Sequence, residues 1–310
     1  MIATPRSKLL LVVMAAVTSI AFTFQPSAAR AADGSADQSS SSNTDTVTIE
    51  GQKRDKLKRQ INHFVSSVVV SYTNESLERW DTPICPLVAG LTKEQGEFVL
   101  ARVSEIARTA RVPLAGEHCP PNLYVVVADN PDELVKTWWD RNPTLLSTRN
   151  GIGYAKDFLH ARGPVRVFYN AEFRTSTGAR LSADTSVLSL SGVTLNFNAR
   201  TGPEIGTRIA YGTVQTLGSV IIVVDKQRTT DINIRQLADY VAMVGLAQLR
   251  PDADTGMVPT ILRLFRQADQ PPAGLTAWDE SFLHSLYGTD QRSVMQASAI
   301  KEGMLAQIGH

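Results

Sequence analysis

The strongest constraint on this chain lies between Gly218 and Leu249. "GSVIIVVD", Gly218 to Asp225, sets five branched aliphatic residues side by side. An unbroken run of that kind, rather than an alternating one, predicts a strand buried on both faces. After a short polar loop comes "QLADYVAMVGLAQL", Gln236 to Leu249, apolar on nearly every side and carrying one carboxylate, Asp239, in its middle. Asn233 with Gln236 forms a capping-box pattern at its head, so the segment reads as a helix. Both elements demand the interior of a sizeable domain.

The remaining pattern supplies that domain. "TKEQGEFVLARVSEIARTA" opens on a second capping box, Thr92 with Gln95, and repeats apolar residues at Val99, Val103, Ile106 and Ala110, which predicts an amphipathic helix. "KRDKLKRQINHFVSSVVVSYTN" predicts another, basic in its early turns and apolar later. "NLYVVVA" and "PVRVFYN" read as strands, and "DNPDELVKTWWD" as a helix entered at Asn130 with Pro131 in its first position. From Arg174 to Arg200 the chain turns to Ser, Thr and Asn with short alternating runs, which predicts a polar hairpin or an exposed sheet extension. "VPTILRLF", "AWDESFLHSLYG" and "DQRSVMQASAIKEGMLAQI" read as three closing helices. The order gives a single mixed α+β domain with a central strand and a buried helix.

The first residues predict export from the cytoplasm. Arg6 and Lys8 precede an uncharged run from Leu9 to Phe24, and Ala29-Arg30-Ala31 follows as an A-x-A site. The run is shorter than the roughly 20 residues of a bilayer span. We therefore read residues 1–31 as a cleaved signal peptide, 32–46 as a Ser-rich linker and 47–310 as the domain. The expected location is periplasmic or secreted, with no transmembrane segment left after cleavage. Cys85 and Cys119 are the only cysteines. An exported pair reads most simply as a disulfide, which over a loop of about 35 residues stabilises by roughly 3 to 4 kcal/mol.

Charge and motif content narrow the function. Of 31 Lys and Arg, three lie in the leader, against 30 Asp and Glu that all follow it. That near-neutral balance gives no global pull toward nucleic acid, and no basic stripe or aromatic platform motif supports one. The basic residues Lys53, Arg54, Lys56, Lys58 and Arg59 read as a solvated helix face, with contact to a membrane surface or an acidic partner as the alternative. His63, His118, His160, His284 and His310 are scattered, without an H-x-x-x-H pair, so we expect no metal site and no cofactor. There is no G-x-S-x-G and no P-loop, and Ser298 with Lys301 forms an S-x-x-K lacking its companion motifs.

The strand, the short loop, the buried helix and the helical tail from Thr207 to about Ser293 resemble the order of elements in zincin-like metallopeptidases of the metzincin type. In that family the helix carries H-E-x-x-H-x-x-G-x-x-H: histidines that bind zinc, a glutamate that activates water and a glycine at the turn. Here Ala238 and Ala242 fall where the first two histidines would stand, Asp239 at the glutamate, Gly245 at the glycine and Gln248 at the third ligand. The resemblance implies a zincin-like fold with its zinc motif lost, a pseudoenzyme like other exported bacterial proteins of unknown function. A plain core helix is the competing reading, and under either the helix holds no catalytic metal.

If buried, Asp239 needs a basic partner, for which Arg208, Arg228 and Arg263 are the candidates. Two functions follow from the sequence. In the first, the protein is a non-catalytic envelope or periplasmic protein that binds a protein partner, with the 174–200 hairpin and the clefts beside Trp138 and Trp139 as contact regions. In the alternative it is an exported peptidase-like hydrolase whose acid/base groups, drawn from Asp239, His160, His284 and Glu204, meet only in the fold.

Overall fold

A computed structural model of the chain describes residues 41–70, 76–141, 146, 151–175, 184–190, 193–199, 212–266 and 271–309. Residues 1–31, read above as a signal peptide, the greater part of the stretch read as a linker, and Glu204 lie outside these. The compact body is Val47–His310. Its elements are α1 (Ser41–Val68), β1 (Pro86–Ala89), α2 (Lys93–Thr109), β2 (Leu123–Ala128), α3 (Pro131–Arg141), α4 (Gly151–His160), β3 (Val165–Thr175), β4 (Asp184–Leu190), β5 (Val193–Ala199), β6 (Thr213–Asp225), α5 (Ile234–Leu246), α6 (Ala277–Gly288) and α7 (Gln296–Ile308).

The fold is a single α+β domain built on a four-stranded sheet in the order β1-β2-β6-β3. β1, β2 and β6 run parallel, and β3 lies antiparallel at the edge. The branched run explains why β6 is central. Val220, Ile222 and Val224 point into the main core with α1, α2, α5 and α6, while Ile221 and Val223 point into a second, smaller core with Val135, Ala155, Phe158 and Phe168. Strand geometry alternates side chains between faces, so every residue of the run is needed only because helices cover both sides.

Both capping boxes form as the sequence predicts, at Thr92/Gln95 and at Asn233/Gln236. The structure adds a third, Thr276/Asp279, at the head of α6. The fully buried Asp279 carboxylate there also accepts from the Thr260 hydroxyl at 2.5 Å and the Ile261 amide at 2.8 Å. Burial raises the carboxyl above its ordinary value, and the hydrogen bonds from Thr260, Ile261 and Thr276 oppose that shift.

Those same contacts correct one expectation. "VPTILRLF" is not a helix: it is extended at Thr260 and then makes a single 3-10 turn, Ile261–Arg263, because its first amides and hydroxyl are tied to the cap of α6. A second correction concerns the linker, since α1 begins at Ser41, within the stretch read as a tether. The stretch contains no proline to stop a helix extending upstream from the basic turns. A third is β1, four residues long and too short to stand out in the sequence.

β3 and β6 outrun the sheet. Beyond a bulge at Asn170/Ala171 they continue as a two-stranded ribbon to Thr175↔Thr213. Residues 76–81 line the ribbon where β2 has ended: Gln215 donates its amide to Ser76 Oγ at 2.7 Å, and Leu217 donates its amide to the Arg79 carbonyl at 3.0 Å. The ribbon leads to β4 and β5, which pair as a separate antiparallel hairpin in the predicted 174–200 region.

Cys85 and Cys119 form the disulfide, with Cα atoms 6.0 Å apart and a separation of 34 positions in sequence. It ties the entry of β1 to the loop after α2, beside Asn122, whose Oδ1 accepts the Cys85 amide at 2.7 Å. No described helix is long and apolar enough to cross a membrane. Replacing both cysteines by serine is expected to lower stability by about 3 to 4 kcal/mol in urea unfolding; an unchanged midpoint would contradict a stabilising loop closure.

Candidate functional site

The centre of the molecule is α5. Every residue from Leu237 to Leu246 is buried, and Ala238, Val241, Ala242, Met243 and Val244 have no exposed surface at all. Leu237, Val241, Met243, Val244 and Leu246 each gain about 1.5–3 kcal/mol by leaving water, so burial fixes where the helix lies. Gly245 permits close approach to the sheet. A Cβ there would stand 3.1 Å from Leu123 Cδ1 and 3.3 Å from Ile222 Cδ1, tighter than ordinary contact. The Gly245 carbonyl accepts from Trp80 Nε1 at 2.8 Å, and the Val244 carbonyl from the Tyr169 hydroxyl at 2.8 Å.

Asp239 is fully buried, and its partner is none of the arginines expected from the sequence. Arg102 of α2 donates Nε to Oδ1 at 2.5 Å, and the Leu275 amide donates to Oδ2 at 2.7 Å. Arg228 instead donates to the Arg162 carbonyl, Arg263 lies in the 3-10 turn, and Arg208 is outside the described residues. Arg102 also reaches Glu105 Oε2 at 2.8 Å, and the two carboxylates, Asp239 first, raise its guanidinium above the ordinary value. Gly274 completes the fit: a Cβ there would meet Asp239 Oδ2 at 2.6 Å.

Asp239 is thus a bridge between α2, α5 and the segment entering α6. A cavity of about 80 Å³ beside the pair, lined by Arg102, Glu105, Ile106, Leu275, Glu280 and Leu283, is far below the roughly 300–1,000 Å³ of ligand sites. The positions corresponding to zinc ligands carry no donor at Ala238 and Ala242. Gln248 is 5% exposed, and its Oε1 accepts no hydrogen bond.

The other sequence candidates are dispersed. His160 ends α4, exposed, with Nδ1 2.7 Å from the Lys156 carbonyl. His284 lies on α6, with Nδ1 3.3 Å from Gln307 Nε2. Neither hydrogen-bonds to Asp239 or to the other, and Glu204 is outside the described residues. No group of three or more His, Cys, Asp or Glu among the described residues is placed to hold a metal ion. Ser298 and Lys301 face a pocket with Lys58 and Asn62, where Lys301 Nζ donates to Ser66 Oγ at 3.0 Å rather than to Ser298. Lys53, Arg54, Lys56, Lys58 and Arg59 are all exposed on α1.

Trp138 and Trp139 are half-buried and pack against the second core. Near them Arg166 of β3, 5% exposed, donates Nη2 to Asp132 at the start of α3, and Arg162 reaches the same carboxylate at 2.7 Å. The Arg166 guanidinium holds the Asp132 carboxyl below its ordinary value. Sequence spacing offered no sign of these two arginines. The one available signal for Arg102 was its place three residues after Val99 and four before Ile106, on the flank of the apolar stripe.

No protein-family model, no curated protein and no solved structure matches the chain.

The pair predicts an asymmetry in stability. Arg102→Met leaves a fully buried carboxylate without its counter-charge and is expected to cost about 3–5 kcal/mol. Asp239→Asn leaves Arg102 with Glu105 and some solvent, keeps an acceptor for the Leu275 amide, and is expected to cost about 1–2 kcal/mol. Urea midpoints measure both; equal midpoints for Arg102→Met and the parent would contradict the assignment.

Proposed function

We propose that this is an exported, non-catalytic protein of the cell envelope or periplasm that binds a protein partner through the arm formed by β4 and β5. The observation that carries the reading is the state of Asp239. The central carboxylate is enclosed, paired with Arg102 and occupied by the Leu275 amide, so it has neither access to a substrate nor a free lone pair directed at one. The hydrolase alternative requires two of Asp239, His160, His284 and Glu204 in one cleft, and the three that are described lie apart with separate partners.

Three further features support the proposal. The ribbon that precedes and follows the arm in sequence is braced by residues 76–81 and runs on past the sheet. The disulfide suits an oxidising compartment. The leader of residues 1–31 suits export. We further propose that α5 is a degenerate counterpart of the zincin helix, on the strength of the order strand, loop, buried helix and helical tail, with Gly245 lying close against the sheet.

Replacing residues 184–199 by a short Gly-Ser turn tests the arm. In vivo crosslinking of the full-length protein is expected to give a defined adduct that the deletion variant loses, while the urea midpoint of the body stays the same. Retention of that adduct in a folded deletion variant would count against the arm as the contact surface.

A further inference from the structure

A cavity of about 420 Å³, lined by neither Arg102 nor Asp239, is within the size range of small-molecule sites. Pro164 and Val165 at the start of β3, Tyr240 of α5, Leu262 of the 3-10 turn and Phe265 just after it form its apolar walls. Tyr240 and Phe265 meet edge to face with ring centroids 4.8 Å apart, which fixes the floor. The rim carries Asp252, Asp254 and Arg266.

Three features make this more than a crevice. The Tyr240 ring is buried, with the residue 4% exposed, and its hydroxyl makes no hydrogen bond to a described residue. That oxygen is not among the buried polar atoms left without a partner, so it stays open to water or to a ligand on the cavity side. Arg266 does not fill the role: its Nη2 donates to the main-chain carbonyls of Asp252, at 2.7 Å, and Ala253, and its Nη1 lies 4.0 Å from Asp254. With the guanidinium held in that way, Asp252 keeps a side-chain carboxylate that no described residue binds. The opening therefore offers an apolar floor, one phenol oxygen and one uncompensated negative charge.

We propose that this cavity is a binding site for a small primary amine carrying an apolar group. The ammonium faces the Asp252 carboxylate and donates to the Tyr240 hydroxyl oxygen, and the apolar body lies on Phe265, Leu262 and Val165. An aromatic wall next to a cation adds attraction of its own. An anionic ligand meets the reverse arrangement, since Arg266, the one cation among the described lining residues, is engaged. The site is independent of the arm and of any partner bound there.

Calorimetric titration of the mature protein with phenethylamine, 2-phenylethanol and phenylacetate tests it. Phenethylamine is expected to bind one to one, about fivefold or more tightly than the isosteric alcohol, with phenylacetate weakest. Asp252→Asn is expected to weaken the amine about threefold to fivefold, as for an exposed charge pair, and to leave the alcohol unchanged. Tyr240→Phe, which keeps the ring and the packing, is expected to weaken the amine about threefold. Absence of saturable binding of the amine at millimolar concentration, equal affinity for amine and alcohol, tighter binding of phenylacetate, or indifference to Asp252→Asn would each overturn the proposal.

Discussion

The ion pair between Arg102 and Asp239 is the interaction on which the arrangement of the main core depends. Burial alone would hold α5 against the sheet, but an apolar cylinder can turn or slide without losing much area. A carboxylate stripped of water accepts only one solution, in which a donor meets each oxygen. Arg102 supplies one from α2 and the Leu275 amide another from the segment entering α6. One side chain on α5 therefore sets the helix against two neighbours that are 137 and 36 residues distant in sequence. Gly274 and Gly245 leave the space this fit requires, one against the carboxylate and one against the sheet.

The sheet shares its central strand between two cores of different size. β6 sends alternate side chains to each, so the cores cannot be optimised separately. The larger carries the fold. The smaller, under α3 and α4, includes the buried Arg166 held by Asp132 and the half-buried Trp138 and Trp139. Beyond the bulge, where Gly218 of β6 is the extra residue opposite Asn170 and Ala171, β3 and β6 run on past β2, and residues 76–81 take over as the neighbour of β6. That brace turns what would be a free two-stranded ribbon, marginal by itself, into a supported extension of the sheet.

Local chemistry was legible in the sequence. The apolar run of β6, the unbroken apolarity of α5, the Thr92 and Asn233 caps, the hairpin and the Cys85–Cys119 bridge all rest on signals within one element or on a two-member cysteine set. What depended on distant partners was not legible. A buried Asp239 called for a cation, but sequence gives no distance between Asp239 and Arg102, and Arg102 looks like any flank residue of an amphipathic helix. "VPTILRLF" has helical spacing, yet Asp279 on the next helix takes its first donors and leaves a single 3-10 turn. The Tyr240 cavity follows the same rule: its walls come from β3, α5 and the segment after it, and no local pattern joins them.

The central claim is that α5 is an architectural helix, enclosed and bound to α2 through Asp239, with no metal chemistry on it. Native mass spectrometry with elemental analysis, on the mature chain purified without chelator, tests this most directly. The account predicts a chain without stoichiometric metal, at a mass two hydrogens below the fully reduced value because of the Cys85–Cys119 bond. One zinc retained per chain would contradict it, since Ala238 and Ala242 offer no donor and a ligand set would have to exist elsewhere.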